Sequence, residues 1–316
     1  MTTFTNFQTV QLGPNGPSVP ALGVGTWAWG DSLFWGYGKS YGRGDVEAAF
    51  LASVDAGINF FDTAEVYGLG ESEKLLGHFS QTHCPSVSLA TKYFPLPWRF
   101  YPQAVADALT ASLSRLQQSS IDLYQVHMPF DLFLGQEKLM HALADEVHRG
   151  RIKAVGVSNY SASQMREAAK YLAERGVPLA VNQVQYSLLN RSIETNGVLT
   201  AAQELGVIIL AYSPLAQGLL TGKYRPGNHK PGGARRLDPR FSTDGLERLQ
   251  PLLDALDEIA HNHSRTPAQV ALNWLICQGN VMPIPGAKNA HQASQNAGAL
   301  GWQLDTQEID QLRMLT

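Results

Sequence analysis

Cysteine is scarce in this chain of 316 residues, which has only Cys84 and Cys277. Two thiols supply neither a disulfide framework nor the ligands of a structural zinc cluster, and both are expected to stay reduced. Long hydrophobic runs are missing too, since nothing approaches the ~20 apolar residues of a membrane helix. No sign of charge dominates: 24 basic and 27 acidic residues give a net −3, and the basic ones are scattered. That distribution argues against a nucleic-acid backbone as partner. The N-terminal stretch MTTFTNFQTVQLGPNG has neither the basic nor the apolar region of a secretory leader. The expected location is the cytoplasm, or the plastid stroma if a transit segment has been removed. His78, His83, His261 and His263 have no acidic or cysteine partner at ligand spacing, so no metal site is expected.

What is present is an ordinary globular composition, 44% hydrophobic and 16% charged. Short β-branched runs alternate with helical segments along nearly the whole chain, the pattern of a parallel sheet with crossover helices. Eight strands are expected at Leu22–Thr26, Ile58–Asp62, Ser86–Lys92, Asp122–His127, Ala154–Ser158, Ala180–Gln183, Val207–Tyr212 and Val281–Pro285. A helix over Val46–Ala56 carries Val46, Ala49, Phe50 and Val54 on one stripe and stops at Gly57, a residue suited to a left-handed cap. The same punctuation recurs at Ser161–Arg175 with Gly176, and at Gly197–Leu205 with Gly206.

Periodicity alone does not choose between a closed (β/α)8 barrel and an open doubly wound sheet. The nearest dinucleotide-type turn, Gly23-Val-Gly25-Thr-Trp27, lacks a third glycine and leads into no immediate helix, so the barrel is favoured. Residues 1–316 are expected to form one domain. Turn chemistry at Pro14-Asn15-Gly16 predicts a hairpin over residues 8–20 that caps the barrel bottom. Thr221–Arg240, rich in Gly, Pro, Lys and Arg, reads as a long functional loop.

Four polar residues fall at or just beyond different strand ends: Asp62, Tyr67, Lys92 and His127. In a barrel those ends share one face. Reducing a carbonyl requires a hydride at carbon and a proton at oxygen. A tyrosine is a weak acid near pKa ~10, and a neighbouring lysine cation would pull it toward working pH. Lys92 would supply the cation, Asp62 would hold it charged, and a neutral His127 would polarise the substrate oxygen. Each also has a plainer reading. An Asp after a strand can be a helix cap, a loop Tyr can pack, a strand-end Lys can reach solvent, and His127 between Val126 and Met128 can be a core histidine. Trp27, Trp29 and Trp35 near the first βα loop suggest an aromatic wall for an apolar substrate, or simple packing. Gly286-Ala-Lys288-Asn opens a helix, and free N–H groups there attract phosphate, with Lys288 adding charge or standing as an exposed first-turn residue.

The runs GVGTWAWG (23–30), NFFDTAEVYGLGESEKLLG (59–77), LATKY (89–93), DLYQVHMP (122–129), KAVGVSNYS (153–161), NQVQYSLL (182–189), AYSPLAQGLLTGKY (211–224) and PIPGAKNAHQASQNAGAL (283–300) resemble the aldo-keto reductase superfamily. Within it they look most like a bacterial, cyanobacterial and plastid branch that includes pyridoxal-reductase-like proteins. The resemblance implies a (β/α)8 barrel and a catalytic tetrad of Asp62, Tyr67, Lys92 and His127. It implies NADPH (NADP+) as cofactor. Gly25, Thr26, Trp27 and Asp62 would lie beside it, Ser158, Asn159 and Gln183 on the carboxamide, and Tyr212 on the nicotinamide ring. Ser213, Pro214, Leu215 and Gln217 would follow the pyrophosphate, with Lys223 on a phosphate. Gly286, Lys288 and Gln292 would meet the 2′-phosphate, and Gln295 and Asn296 the adenine. Many relatives carry Arg at the place of Gln292. The substrate pocket would comprise Trp27, Trp29, Tyr67, His127 and Met128, the last standing where many members have Trp.

The resulting expectation is an NADPH-dependent oxidoreductase that reduces small aldehydes and some ketones, acting as a monomer. Pyridoxal, methylglyoxal-like and aromatic aldehydes are the candidate substrates. The alternative is a nicotinamide-binding regulatory subunit resembling potassium-channel β subunits. A phosphate-metabolising barrel would leave Tyr67 and Lys92 without a role.

Overall fold

The computed structural model describes residues 8–130, 133–228, 232, 235 and 238–316. An antiparallel hairpin comes first, β1 (Thr9–Gln11) against β2 (Ser18–Pro20). Then follow β3 (Val24–Gly25), α1 (Arg43–Asp55), β4 (Phe60–Asp62), α2 (Glu71–His83), β5 (Ser88–Tyr93), α3 (Gln103–Leu116), β6 (Ile121–Val126), α4 (Gln136–His148) and β7 (Ile152–Ser158). The second half has α5 (Ala162–Ala173), β8 (Leu179–Gln185), α6 (Ser192–Thr195), α7 (Val198–Leu205), β9 (Ile208–Tyr212), α8 (Thr243–Asn262), α9 (Pro267–Ile276), β10 (Val281–Pro283), α10 (Ala290–Ala297) and α11 (Thr306–Met314).

Strands β3 to β10 pair in chain order, and every pair is parallel. The two ends then meet. Gly23 and Gly25 donate backbone N–H bonds to the carbonyls of Pro283 and Pro285 at 3.0 and 3.1 Å, and Gly25 bridges Gly286. The sheet is therefore a closed (β/α)8 barrel. The seam also explains why the first strand is shorter than the sequence pattern suggests: Pro283 and Pro285 have no N–H to return to it.

Helix ends follow the punctuation of the sequence. After α1, Gly57 takes φ 83, and α7 ends on Gly206 at φ 65. Ser161 caps α5 and forms a reciprocal pair with Gln164. On α1 the buried stripe is Val46, Ala49, Phe50 and Ser53. Val54 packs half-buried against the core as expected, and Ser53 joins the stripe, its hydroxyl satisfied by the Ala49 carbonyl at 2.8 Å. The hairpin turn lies against the lower strand ends: Cβ atoms added at Gly13 and Gly16 would come within 2.9 Å of Ala180 Cβ and 3.0 Å of Ala154 Cβ. Those alanines stand near the starts of β8 and β7, so the hairpin covers the barrel bottom and leaves the opposite mouth to the βα loops. Part of the expected 221–240 loop lies outside the described residues. Short helical turns cover Ala216–Thr221 and Pro239–Phe241 at its two ends. Among the described residues no helix is long and apolar enough to cross a membrane.

Candidate active site

Parallel register carries four polar side chains to the mouth. Asp62 ends β4, Lys92 lies near the end of β5, and His127 follows β6 directly. Tyr67 opens a tight turn, Tyr67–Gly70, in which Gly68 and Leu69 take positive φ before α2 begins. Hydroxyls anchor that turn from below: Thr63 donates to Ser72 Oγ at 2.8 Å, and Thr26 donates to the Asp62 carbonyl at 3.0 Å.

Lys92 Nζ donates to Asp62 Oδ2 at 2.5 Å, to the Thr63 carbonyl at 2.7 Å and to Tyr67 Oη at 3.4 Å. Lys92 and Asp62 are 0% and 2% exposed. Burial opposes the charge on Lys92, but the Asp62 carboxylate outweighs it and holds the amine above its ordinary pKa. Tyr67 corrects the sequence-based expectation. Burial drives its pKa up, and Lys92 pulls down without overcoming that, so the phenol is held protonated. Burial and then the Lys92 charge push His127 down to about 3, which makes the imidazole neutral. Its Nδ1 is buried without a partner among the described residues, and its ring packs edge-on against Tyr67 and Phe94.

Beside this group runs an arc from β7 to β9. Ser158 Oγ donates to the Gln183 carbonyl at 2.9 Å, Asn159 Nδ2 to the His127 carbonyl at 3.2 Å, and Tyr212 Oη to Asn159 Oδ1 at 3.0 Å. Asn159 also reaches the Met128 sulfur at 3.3 Å. Backbone strain is concentrated here: Asn159, Ser213 and Gln217 hold φ of 63, 51 and 57, a conformation that non-glycine residues keep only where their surroundings enforce it. Pro214 is buried, and Leu215 packs against the core.

Across the seam, Gly25 faces Gly286, whose carbonyl accepts from Asn296 Nδ2 at 3.3 Å. Gln292 accepts the Lys288 N–H at 2.8 Å, and the Gln295 carbonyl is tied to Gln269 on α9. Lys288 Nζ lies 4.6 Å from the centroids of both Trp35 and Tyr41. Burial and then Arg235 lower it to about 8. Arg235 stacks on Trp35 at 5.6 Å and donates to the Gln217 carbonyl at 2.9 Å.

Two residues do not join the site as expected. Trp29 is fully buried, donates to the Ala287 carbonyl at 2.8 Å and packs on Phe61 and Phe79. It belongs to the core rather than to a substrate wall, because the chain turns its indole under the loop. Trp27, 41% exposed and stacked on Tyr67 with centroids 6.1 Å apart, has the open position instead. Lys223 is exposed and lies over the neighbouring Tyr224 ring, and none of its described contacts reaches the other candidate cofactor residues.

Sequence reasoning missed Gln125, which donates to Asp62 Oδ1 at 2.8 Å. An amide inside a strand of a barrel, where parallel strands read as apolar, was the available signal. It also missed Arg235, which no local pattern marks within its loop.

A model of the "Aldo/keto reductase family" matches residues 21–316. The chain is similar to "Pyridoxal reductase, chloroplastic" of Arabidopsis thaliana, 41% identical over 98% of this chain and 86% of that protein. Among solved structures, a glycerol dehydrogenase from Gluconobacter oxydans superposes with TM-score 0.85 at 28% identity, covering 97% of this chain and 94% of that one. An aldo-keto reductase from Klebsiella pneumoniae in complex with NADPH superposes with TM-score 0.74 at 30% identity, covering 94% and 91%. With the closed barrel and the polar cluster at its mouth, these matches place the chain in the aldo/keto reductase family.

Proposed function

We propose that the protein reduces aldehydes and some ketones to alcohols, with NADPH as hydride source and Tyr67 as proton donor. One observation carries this reading: a buried ammonium, Lys92, held by Asp62 at 2.5 Å and lying 3.4 Å from the phenol of Tyr67. The Klebsiella relative holds NADPH. The residues of this chain fit such a group. Lys288 and Arg235 both lie over the Trp35 ring, and neither has an ion pair among the described residues, which suits a phosphorylated ligand. The strained Asn159, Ser213 and Gln217 line the neighbouring arc.

When bound, the nicotinamide supplies the hydride that the carbonyl carbon receives. Tyr67 gives its proton to the carbonyl oxygen as charge develops there. Lys92 then stabilises the phenolate, and Asp62 keeps Lys92 charged through the cycle. His127, neutral near pH 7, holds the oxygen by a ring N–H without competing for the acid role. Trp27 and Phe94, whose rings lie against Tyr67 and His127, offer the substrate apolar faces. Turnover is tested by NADPH oxidation with pyridoxal, methylglyoxal and benzaldehyde. Activity with at least one is expected, and no turnover above the blank with folded protein refutes the reading.

A further inference from the structure

Gln125 lies on β6, fully buried, with Lys92 opposite it on β5 and Gly156 opposite it on β7. Its amide joins two groups that belong to different parts of the site. Gln125 Nε2 donates to Asp62 Oδ1 at 2.8 Å, and its Oε1 accepts from Gln183 Nε2 at 3.0 Å. Gln183, on β8, also donates to Asp62 Oδ1 at 3.0 Å. To reach Gln183 the side chain must cross the intervening strand β7, and the residue it passes is a glycine. A Cβ at Gly156 would stand 2.9 Å from Gln125 Cγ and 3.2 Å from Val181 Cβ. The missing side chain at 156 is the space that Gln125 occupies.

This triangle has one consistent set of donors. An ionised carboxylate only accepts, so the Gln125 nitrogen must face Asp62 and its oxygen must face away. That oxygen in turn demands a donor from Gln183. Both N–H groups of Gln183 are thus committed, one to Asp62 and one to Gln125, and its Oε1 is left without a donor among the described residues. We propose that Gln125 is a positioning residue: it fixes the amide of Gln183 so that the site presents an acceptor to a primary carboxamide, and Gly156 gives it the room to do so. This rests on the reading that the site binds a nicotinamide. Without Gln125, only the bond to Asp62 Oδ1 still orients the Gln183 amide, and the amide is freer to turn and offer an N–H instead.

The test compares wild-type, Gln125→Met and Gly156→Ala proteins in binding NADP+ and its 3-acetylpyridine analogue, which has a carbonyl at that position but no N–H, by fluorescence titration. Wild type is expected to prefer NADP+ by about tenfold, the worth of one buried hydrogen bond. In Gln125→Met the preference is expected to fall toward unity. Gly156→Ala, which displaces Gln125 without removing it, moves the ratio the same way by a smaller factor and decides the matter if the methionine variant does not fold. General loosening would weaken both ligands alike and leave the ratio unchanged. An unchanged ratio in a folded variant, or no preference in wild type, overturns the inference. Failure of wild type to bind either dinucleotide instead refutes the function proposed above, and the inference falls with it.

Discussion

Replacing Lys92 by Met keeps the length and apolar stem of the side chain and deletes the ammonium. Lys92 and Asp62 are 0% and 2% exposed, with Nζ 2.5 Å from Oδ2, so the variant strands a carboxylate inside the barrel. Oδ2 loses its partner, while Oδ1 keeps its donors from Gln125 and Gln183 at 2.8 and 3.0 Å. Breaking one side of a buried pair costs ~3–5 kcal/mol. The two surviving amide donors put this case near the lower end, about 3 kcal/mol. At roughly 2 °C per kcal/mol for a large domain, the melting temperature should fall by about 6 °C. Adding Asp62→Asn removes the stranded charge and should recover about half of the loss. Urea unfolding of the four proteins of this cycle, followed by circular dichroism, gives the coupling directly. A Lys92→Met protein within about 0.5 kcal/mol of wild type, or strictly additive effects, would refute the claim that the pair is sealed and mutually dependent.

Other outcomes follow from the same geometry. His127 titrates at about 3 in the folded protein against 6.5 ordinarily. The unfolded chain therefore takes up the proton first, and native stability is lost as pH falls from 6.5 toward 3, by roughly 2 kcal/mol at pH 5. A pH series of unfolding free energies should be flatter in that window for His127→Gln, and parallel curves would contradict the assignment. Trp27→Ala should raise KM for aromatic aldehydes several-fold with little change in melting temperature. Trp29→Ala should instead cost ~3–5 kcal/mol of stability; a steady-state and melting comparison that reverses the two would return Trp29 to the pocket. Because Lys288 is lowered to about 8, its positive charge is lost above that pH. NADPH affinity should then weaken about tenfold by pH 9 while NADH affinity stays level, and equal decline for both would detach Lys288 from the phosphate.

Much of this architecture was legible in the sequence because it depends on local rules. Alternating β-branched runs mark the strands, and Gly57 and Gly206 close helices with the positive φ their positions require. Pro14-Asn15-Gly16 marks the hairpin. Strand-end placement also brought Asp62, Tyr67, Lys92 and His127 to one face before any distance was known. Features that depend on remote contacts were not legible. Trp29 is a core residue because of a carbonyl 258 positions away, at Ala287. The direction of the Tyr67 pKa depends on how deeply the phenol is buried relative to the pull of Lys92, a balance that spacing does not encode. Gln125 matters because Gly156, on another strand, leaves its path open.

The central claim is that Tyr67 delivers the proton while Lys92 and Asp62 support it. Tyr67→Phe removes one oxygen and keeps the ring that stacks on Trp27. Its NADPH dissociation constant should stay within about twofold of wild type while kcat for aldehyde reduction falls by roughly 10²–10⁴. A Tyr67→Phe protein that binds NADPH and reduces aldehydes at the wild-type rate would contradict the account.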